Sequence, residues 1–530
     1  MFRKITDIME FPDWAGKDSR WRRLDIYDKL LDGTFYDHLP YAFYDEVEVG
    51  TGNRIPLERR RPSAQYRLPR YIARWAARKL FAGRHIPKVR SRDKSDEEKI
   101  TKLLSSIRLW PTMFEAAYRG SVGSVAVTFR VDEDKVGLKV WRAVWCSPVF
   151  DDFGNLTQLR VHYCTSGAAL RSIGLSVAET NKNYWFIRDY NLNEEITYQP
   201  ILDNEWNPVK GFREPEQELL PVVTIQHNLG FVPGVWIANP GGTQPPDGQS
   251  LWEDAIPNTI ELDYILSQAA RGARYNCAPQ LVTQGRIINL DGNSNLTRSP
   301  IDYLAFAAAE RGENGATIGG GDAKLLEMTG KGTEAALAIA EILKKYALEQ
   351  VGVVQKDPGE LPGPLSGRAM EYLDQDAHDT AMQWRSTYGE GGAVPLLAKI
   401  LRVLDPDIDV KGLWLQWPRI YQPTPGDLQS IAQALEIISK PSAVPGAKPD
   451  PEDGSVPTLA PLLDPETASA YLKANLDLGI IEDDDGGGGI RPSGDVPNAN
   501  ESADKDGVMG VNGPFWRVYP PIRVGNKVGP

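Results

Sequence analysis

Apolar and polar positions alternate along one stretch of the chain: Val125, Val127, Phe129 and Val131 are separated by Ala126, Thr128 and Arg130. That is the period of a half-buried strand. A turn sequence, Asp132–Gly137, follows, and Leu138–Trp145 returns, so the pattern predicts a hairpin. Leu156–Tyr163, Tyr184–Arg188 and Glu195–Gln199 extend the β-rich region into an antiparallel meander. Elsewhere the period is helical. Ile72, Trp75, Ala76 and Leu80 share one face of a segment running from Tyr66, with arginines opposite. Leu251–Tyr275 predicts a helix of roughly 25 residues, or roughly 37 Å. Thr333–Val351 predicts a second, with Ala335, Ile339, Ile342 and Tyr346 on one face. Ser366 is an N-cap candidate for a third helix, whose apolar face is Met370, Leu373, Ala377, Ala381 and Trp384. Gly389–Gly392 is expected to kink or interrupt it before Val394–Leu404 resumes.

Breakers divide these elements. Asn239–Gly248 is dense in Pro and Gly and marks a boundary, and Val353–Leu365 reads as a loop for the same reason. Leu413–Trp417 is a short strand. Thr424-Pro-Gly-Asp427 opens a helix over Leu428–Ser439, and Asp464-Pro465 opens another over Glu466–Leu478. The polar, Gly-rich run from Asp483 reads as a flexible tail.

Composition narrows the classes. Of 530 residues, 41% are hydrophobic and 9% aromatic, enough for packed cores and against global disorder. Cys146, Cys164 and Cys277 form no CxxC pair, so reduced thiols and a cytosolic origin are expected. No apolar h-region opens the chain and no run of 18 apolar residues occurs, so neither a secretory signal nor a membrane span is expected. The net charge of −12 hides an asymmetry: Arg54–Lys94 carries fourteen Lys and Arg against Glu58 and Asp93, a local +12, which leaves −24 for the rest. The basic candidates are Arg59, Arg60, Arg61, Arg67, Arg70, Arg74, Arg78 and Lys79. They read either as a solvated helix face or as a patch for nucleic acid or an acidic protein.

Catalytic motifs are missing. Gly330-Lys331 is followed by Gly332 rather than Ser or Thr, so no phosphate-binding GxxxxGK[ST] loop exists, and Gly319–Gly321 reads as a flexible turn. None of the five histidines pairs at i, i+4 or neighbours a cysteine, and there is no GxSxG elbow. No catalytic residue, cofactor or metal is assigned, although carboxylates distant in sequence can still meet in space.

The order of elements is more informative than any motif. A β-rich region, a helix, a small irregular module, a second helix, a Pro/Gly loop and a long kinked helix together resemble the portal proteins of tailed, siphophage-like bacteriophages. Local sequence agrees: Asn228–Asn239 followed by Gly248-Gln-Ser250, the small-residue start Ser366-Gly-Arg-Ala-Met370, and the turn Val149–Gly154 resemble the family's wing-to-stem segment, long-helix start and wing turn.

The resemblance implies an α+β portal fold. Its parts would be a wing over 1–249, stem helices over 250–275 and 333–351, and a clip over 276–332. A tunnel loop would span 352–365, a long kinked helix with the wing return 366–422, a crown 423–482 and a flexible tail 483–530. It implies a ring, usually a dodecamer, at one capsid vertex of the virion, its subunits in the host cytoplasm before assembly, through which double-stranded DNA is packaged and ejected. The implied partners are the terminase large subunit, head–tail adaptor proteins, the major capsid protein and the scaffolding protein, with no membrane. Gln355, Lys356, Asp357 and Glu360 would line the channel, and Arg286, Asn289, Asp291, Asn293 and Arg298 would form the clip docking surface. The basic patch would lie on the wing, facing DNA or capsid. A nucleic-acid-processing enzyme with an unrecognised carboxylate metal site, or another capsid or scaffold protein, are the alternative readings.

Overall fold

The computed structural model describes residues 17–39, 60–132, 135–203, 219–241, 245–277, 331–353 and 375–418 except 407, with short pieces elsewhere such as 280–284 and 322–326. The clip candidates between 286 and 298, the tunnel-loop candidates between 355 and 360, Arg59, the two helices expected after 424 and the tail lie outside the described residues.

Helix α1 (Ser19–Asp32) starts where the Asp18 carboxylate accepts from the Trp21 N–H and stops at Gly33, whose φ of 73° a side chain resists. Helix α2 (Leu68–Phe81) follows Arg67, itself left-handed at φ 57°, and places Pro69 in its first turn, where no N–H is needed. After β1 (Lys88–Arg90) come two helices that the hydrophobic pattern does not announce, α3 (Lys94–Ile107) and α4 (Leu109–Gly120). Asp93 caps α3 by accepting from Ser95 N–H, and a single left-handed residue, Arg108 (φ 54°), turns α3 into α4.

The expected hairpin forms: β2 (Ser124–Asp132) pairs antiparallel with β3 (Lys135–Arg142), after which Ala143–Trp145 curls into a 3₁₀ turn. Strand β2 is, however, buried on both faces from Ser124 to Phe129 rather than on one, because Ala126 and Thr128 are covered as well. The chain then lays down β4 (Cys146–Phe150), β5 (Leu156–Ser166), β6 (Asn183–Tyr190), β7 (Glu194–Tyr198) and β8 (Pro221–Gln226). These make a sheet in the order β8-β7-β6-β5-β4, which is the expected meander. Strand β9 (Gly234–Ala238) joins the hairpin instead, giving β9-β2-β3. The architecture is α+β.

Helix α5 (Ile256–Cys277) begins later than Leu251 because Pro257 lacks an N–H and its ring clashes with the preceding turn. It leads into β10 (Gln280–Gln284), which pairs antiparallel with β11 (Asp322–Leu326), and α6 (Lys331–Gln350) returns along α5. The two helices are antiparallel: Asn258 Nδ2 donates to Gln350 Oε1 at 3.0 Å near one end, and Gly272 lies against Thr333 near the other. Then α7 (Gln375–Trp384) passes through a nine-residue π-helical stretch, Arg385–Ala393, into α8 (Val394–Leu404). Strand β12 (Trp414–Gln416) pairs antiparallel with β1.

The expected interruption around Gly389–Gly392 takes the form of this π-helical stretch, which starts earlier, at Arg385, without a break in helical winding. Helical winding widens there, and the glycines serve packing: a Cβ on Gly389 would lie 2.4 Å from Trp417 Cζ2, and one on Gly392 would lie 2.6 Å from Ile237 Cδ1.

The chain divides into two compact units, the first comprising Met1–Tyr163, Trp185–Gln355 and Asp376–Pro418. Its larger core joins α2, α4, β2, β9, the π-helical stretch and α8 through Leu80, Met113, Val127, Ile237, Tyr388 and Leu397. A second cluster gathers α1, α2, α5 and the end of α6 around Leu24, Leu31, Ile72, Trp252 and Ala347. Each large side chain so buried contributes about 1.5–3 kcal/mol. Of the second unit, the described part is mainly Cys164–Tyr184, where the helix Gly167–Ser172 is held by Gly167 N–H to Lys182 O and Ala168 N–H to Thr180 O.

Candidate nucleic-acid interface

Arg67, Arg70, Arg74 and Arg78 recur every third or fourth residue along α2, so they form one stripe, and Tyr71, Trp75 and Lys79 form the next. The opposite face carries Ile72, Ala73, Ala76 and Leu80, each at most 4% exposed. Burying that face forces the stripe outward. Together with Tyr66 and His85 the two stripes line an open cleft of about 520 Å³, and among the described residues no acid lines it.

The basic candidates part company here. Arg60 is buried, and Arg61 is half-buried and donates to the Leu39 carbonyl, so neither lines the cleft. Arg70 closes the C-terminal turn of α1 by donating from Nε to Leu31 O at 3.1 Å and from Nη2 to Asp32 O. The Arg67 stem packs against Gly33. Lys79 reaches over the Trp75 ring, 5.9 Å from its centroid, and Lys344 of α6 covers the Tyr66 ring at 5.6 Å. Arg74 and Arg78 are exposed and make no ion pair among the described residues.

Acids of α1, and Asp247, are committed to other arginines. Asp28 and Asp32 of α1 are held by Arg142 Nη1 at 2.6 and 2.8 Å, and Asp32 also by Arg119 Nη1 at 2.7 Å. Desolvation pushes the Asp28 carboxyl up, with Arg142 opposing it. Asp247 pairs with Arg20 at 2.6 Å. Their charge is spent within the fold, and the cleft keeps its own.

Two residues of the site escape sequence reasoning. His85 stands at the end of the cleft with its pKa lowered to about 4, by desolvation first and then by Lys79, Arg84 and Arg385. Arg385, from the first π-helical turn, is only 4% exposed and lies 4.9 Å from the Trp417 centroid. Trp417 in turn contacts Phe81 at the end of α2, with ring centroids 5.7 Å apart.

The cleft therefore offers cations and aromatic rings, the chemistry that holds anions and stacks bases. Among the described residues no group of three or more His, Cys, Asp or Glu is placed to hold a metal ion. No described helix is long and apolar enough to cross a membrane. No family model matches the chain, and no curated protein matches it.

Proposed function

We propose that the chain is a portal-type protein, a subunit of the ring through which double-stranded DNA enters and leaves a phage capsid. The observation that carries this reading is the α5–α6 pair. Two antiparallel helices pack on each other, the segment between them starts and ends on the β10–β11 ladder, and one face of α6 is apolar and uncovered. Ile339, Ile342 and Tyr346 are 49%, 49% and 54% exposed, a row that a single copy leaves in water. Neighbouring stems in a ring would cover it through heterologous contacts that close by rotation. The α2 cleft would then hold phosphates of packaged DNA on the wing. The clip and tunnel-loop roles, and docking of motor and adaptors, belong to the same proposal. Negative-stain imaging of the purified protein tests it: rings with an axial hole are expected, and a monodisperse monomer at all concentrations would refute it.

A further inference from the structure

We propose that the far end of the α2 cleft, lined by Arg74, Arg78 and His85, with Arg84 and Arg385 beside His85, is a binding site for a phosphate-class oxyanion. Arg385 is the strongest reason. Its Nε and Nη2 are buried without a hydrogen-bond partner, and its contacts are the Trp417 ring and, from Nη1, Met382 Sδ at 3.9 Å. A buried guanidinium is ordinarily matched by a carboxylate, and here none is supplied among the described residues. His85 Nδ1 is likewise buried and unpartnered on the cleft wall. Arg74, Arg78 and Arg84 are exposed and make no ion pair among the described residues. The positive charge is built in and left unneutralised.

Arg385 does not touch the ligand, since those nitrogens have no access. It acts as a fixed charge in a low-dielectric wall, raising the potential where the exposed arginines make contact. Arg74 and Arg78 are one helical turn apart, about 6 Å along the axis. At one charge per roughly 3.4 Å of a nucleic-acid strand, that span covers about two phosphates. A strand backbone and free phosphate share this chemistry. The site needs no ring, so it stands or falls apart from the portal reading.

The test titrates the full-length protein with inorganic phosphate and, separately, with a short single-stranded oligonucleotide at about 50 and about 200 mM salt. Saturable binding of at least one probe is expected. The oligonucleotide alone identifies a nucleic-acid backbone as the source; equal use of phosphate identifies free phosphate. The double variant R74A/R78A, altered only at exposed positions, should weaken binding roughly tenfold and reduce the oligonucleotide's salt slope by about 1.4. R385M, which removes charge but keeps length, should weaken it about threefold to tenfold. If R385M fails to fold, R84A is expected to weaken binding at least about threefold. The His85 imidazole, followed by NMR, should titrate at a higher pH once the probe is bound. Absence of binding by both probes, unchanged affinity in R385M or in R74A/R78A, or equal binding of a polyglutamate peptide would overturn the proposal.

Discussion

In α2 the branched side chains Ile72 and Leu80 are wholly buried and Arg74 and Arg78 face outward, whereas in α6 Ile339 and Ile342 are each 49% exposed and the buried positions are Ala340, Ala347 and Leu348. Both helices carry an apolar row at helical spacing. The row in α2 meets the rest of its own chain. In α6, α5 takes the small residues, which let two backbones approach closely, and leaves the larger row outside. Periodicity therefore marks a face that needs covering without saying which molecule covers it. One helix is complete as a monomer and the other is half of an interface.

The same substitution in both helices gives the largest contrast. Ile72→Asp should unfold the first unit, costing upward of about 4 kcal/mol, because an unpaired charge enters a closed core. Ile339→Asp should change the melting of the isolated subunit by no more than about 0.5 kcal/mol and yet abolish assembly. Thermal melts together with light scattering read both effects. An Ile339→Asp variant that still forms rings would break the comparison.

The joint between α5 and the start of α2 supplies a pH dependence. Asp263 of α5 is buried, accepts from Tyr66 N–H at 2.7 Å just before α2, and accepts from Tyr36 Oη at 2.9 Å. Desolvation lifts its carboxyl to about 7, against those two hydrogen bonds and the Arg67 charge. The folded state thus binds a proton that the unfolded chain has released. Stability from this group is full below about pH 4 and is lost as pH rises to about 7, by an amount of order 3–4 kcal/mol. Asp263→Asn should flatten denaturant midpoints across that window and raise stability above it. An unchanged pH profile in the variant would show that Asp263 is not the group.

A smaller effect is expected at Gly389. Alanine there drives a Cβ into the Trp417 ring and should cost about 1–3 kcal/mol, measured by urea unfolding. It would also disturb the ring that lies over Arg385, so R74A/R78A remains the cleaner probe of the cleft. A neutral Gly389→Ala would mean that the π-helical stretch relaxes freely.

The hairpin was legible because its two-residue period matches its register, in which Val127 pairs with Val140 and Phe129 with Leu138. The Arg stripe of α2 was legible for the same kind of reason. Helices α3 and α4 were not, because their junction is Arg108, a residue with no breaking character that happens to adopt the left-handed conformation. Helix α1 was hidden by Asp28, a buried acid that looks like a solvent position until Arg142 and Arg119 are brought to it from other elements. His85 and Arg385 are far apart along the chain, and the larger core, with Phe81 packed on Trp417, brings their elements together.

The widened winding between Arg385 and Ala393 has a consequence for the phase of the helix it interrupts. Each residue of an α-helix advances the side chains by about 100°, and a π turn absorbs one residue more than an α turn does. The stretch therefore acts as a vernier between α7 and α8. It sets the azimuth at which Leu396, Leu397, Ile400 and Leu401 meet the larger core. Rewinding one such turn to α geometry with no residue removed would rotate the whole of α8 by about 100°, so Leu397 and Ile400 would sweep out of the core while every residue of α8 stayed helical. Removing one residue along with the rewinding would leave its azimuth unchanged. Winding in this stretch is a rotational setting, and composition on either side cannot correct for it.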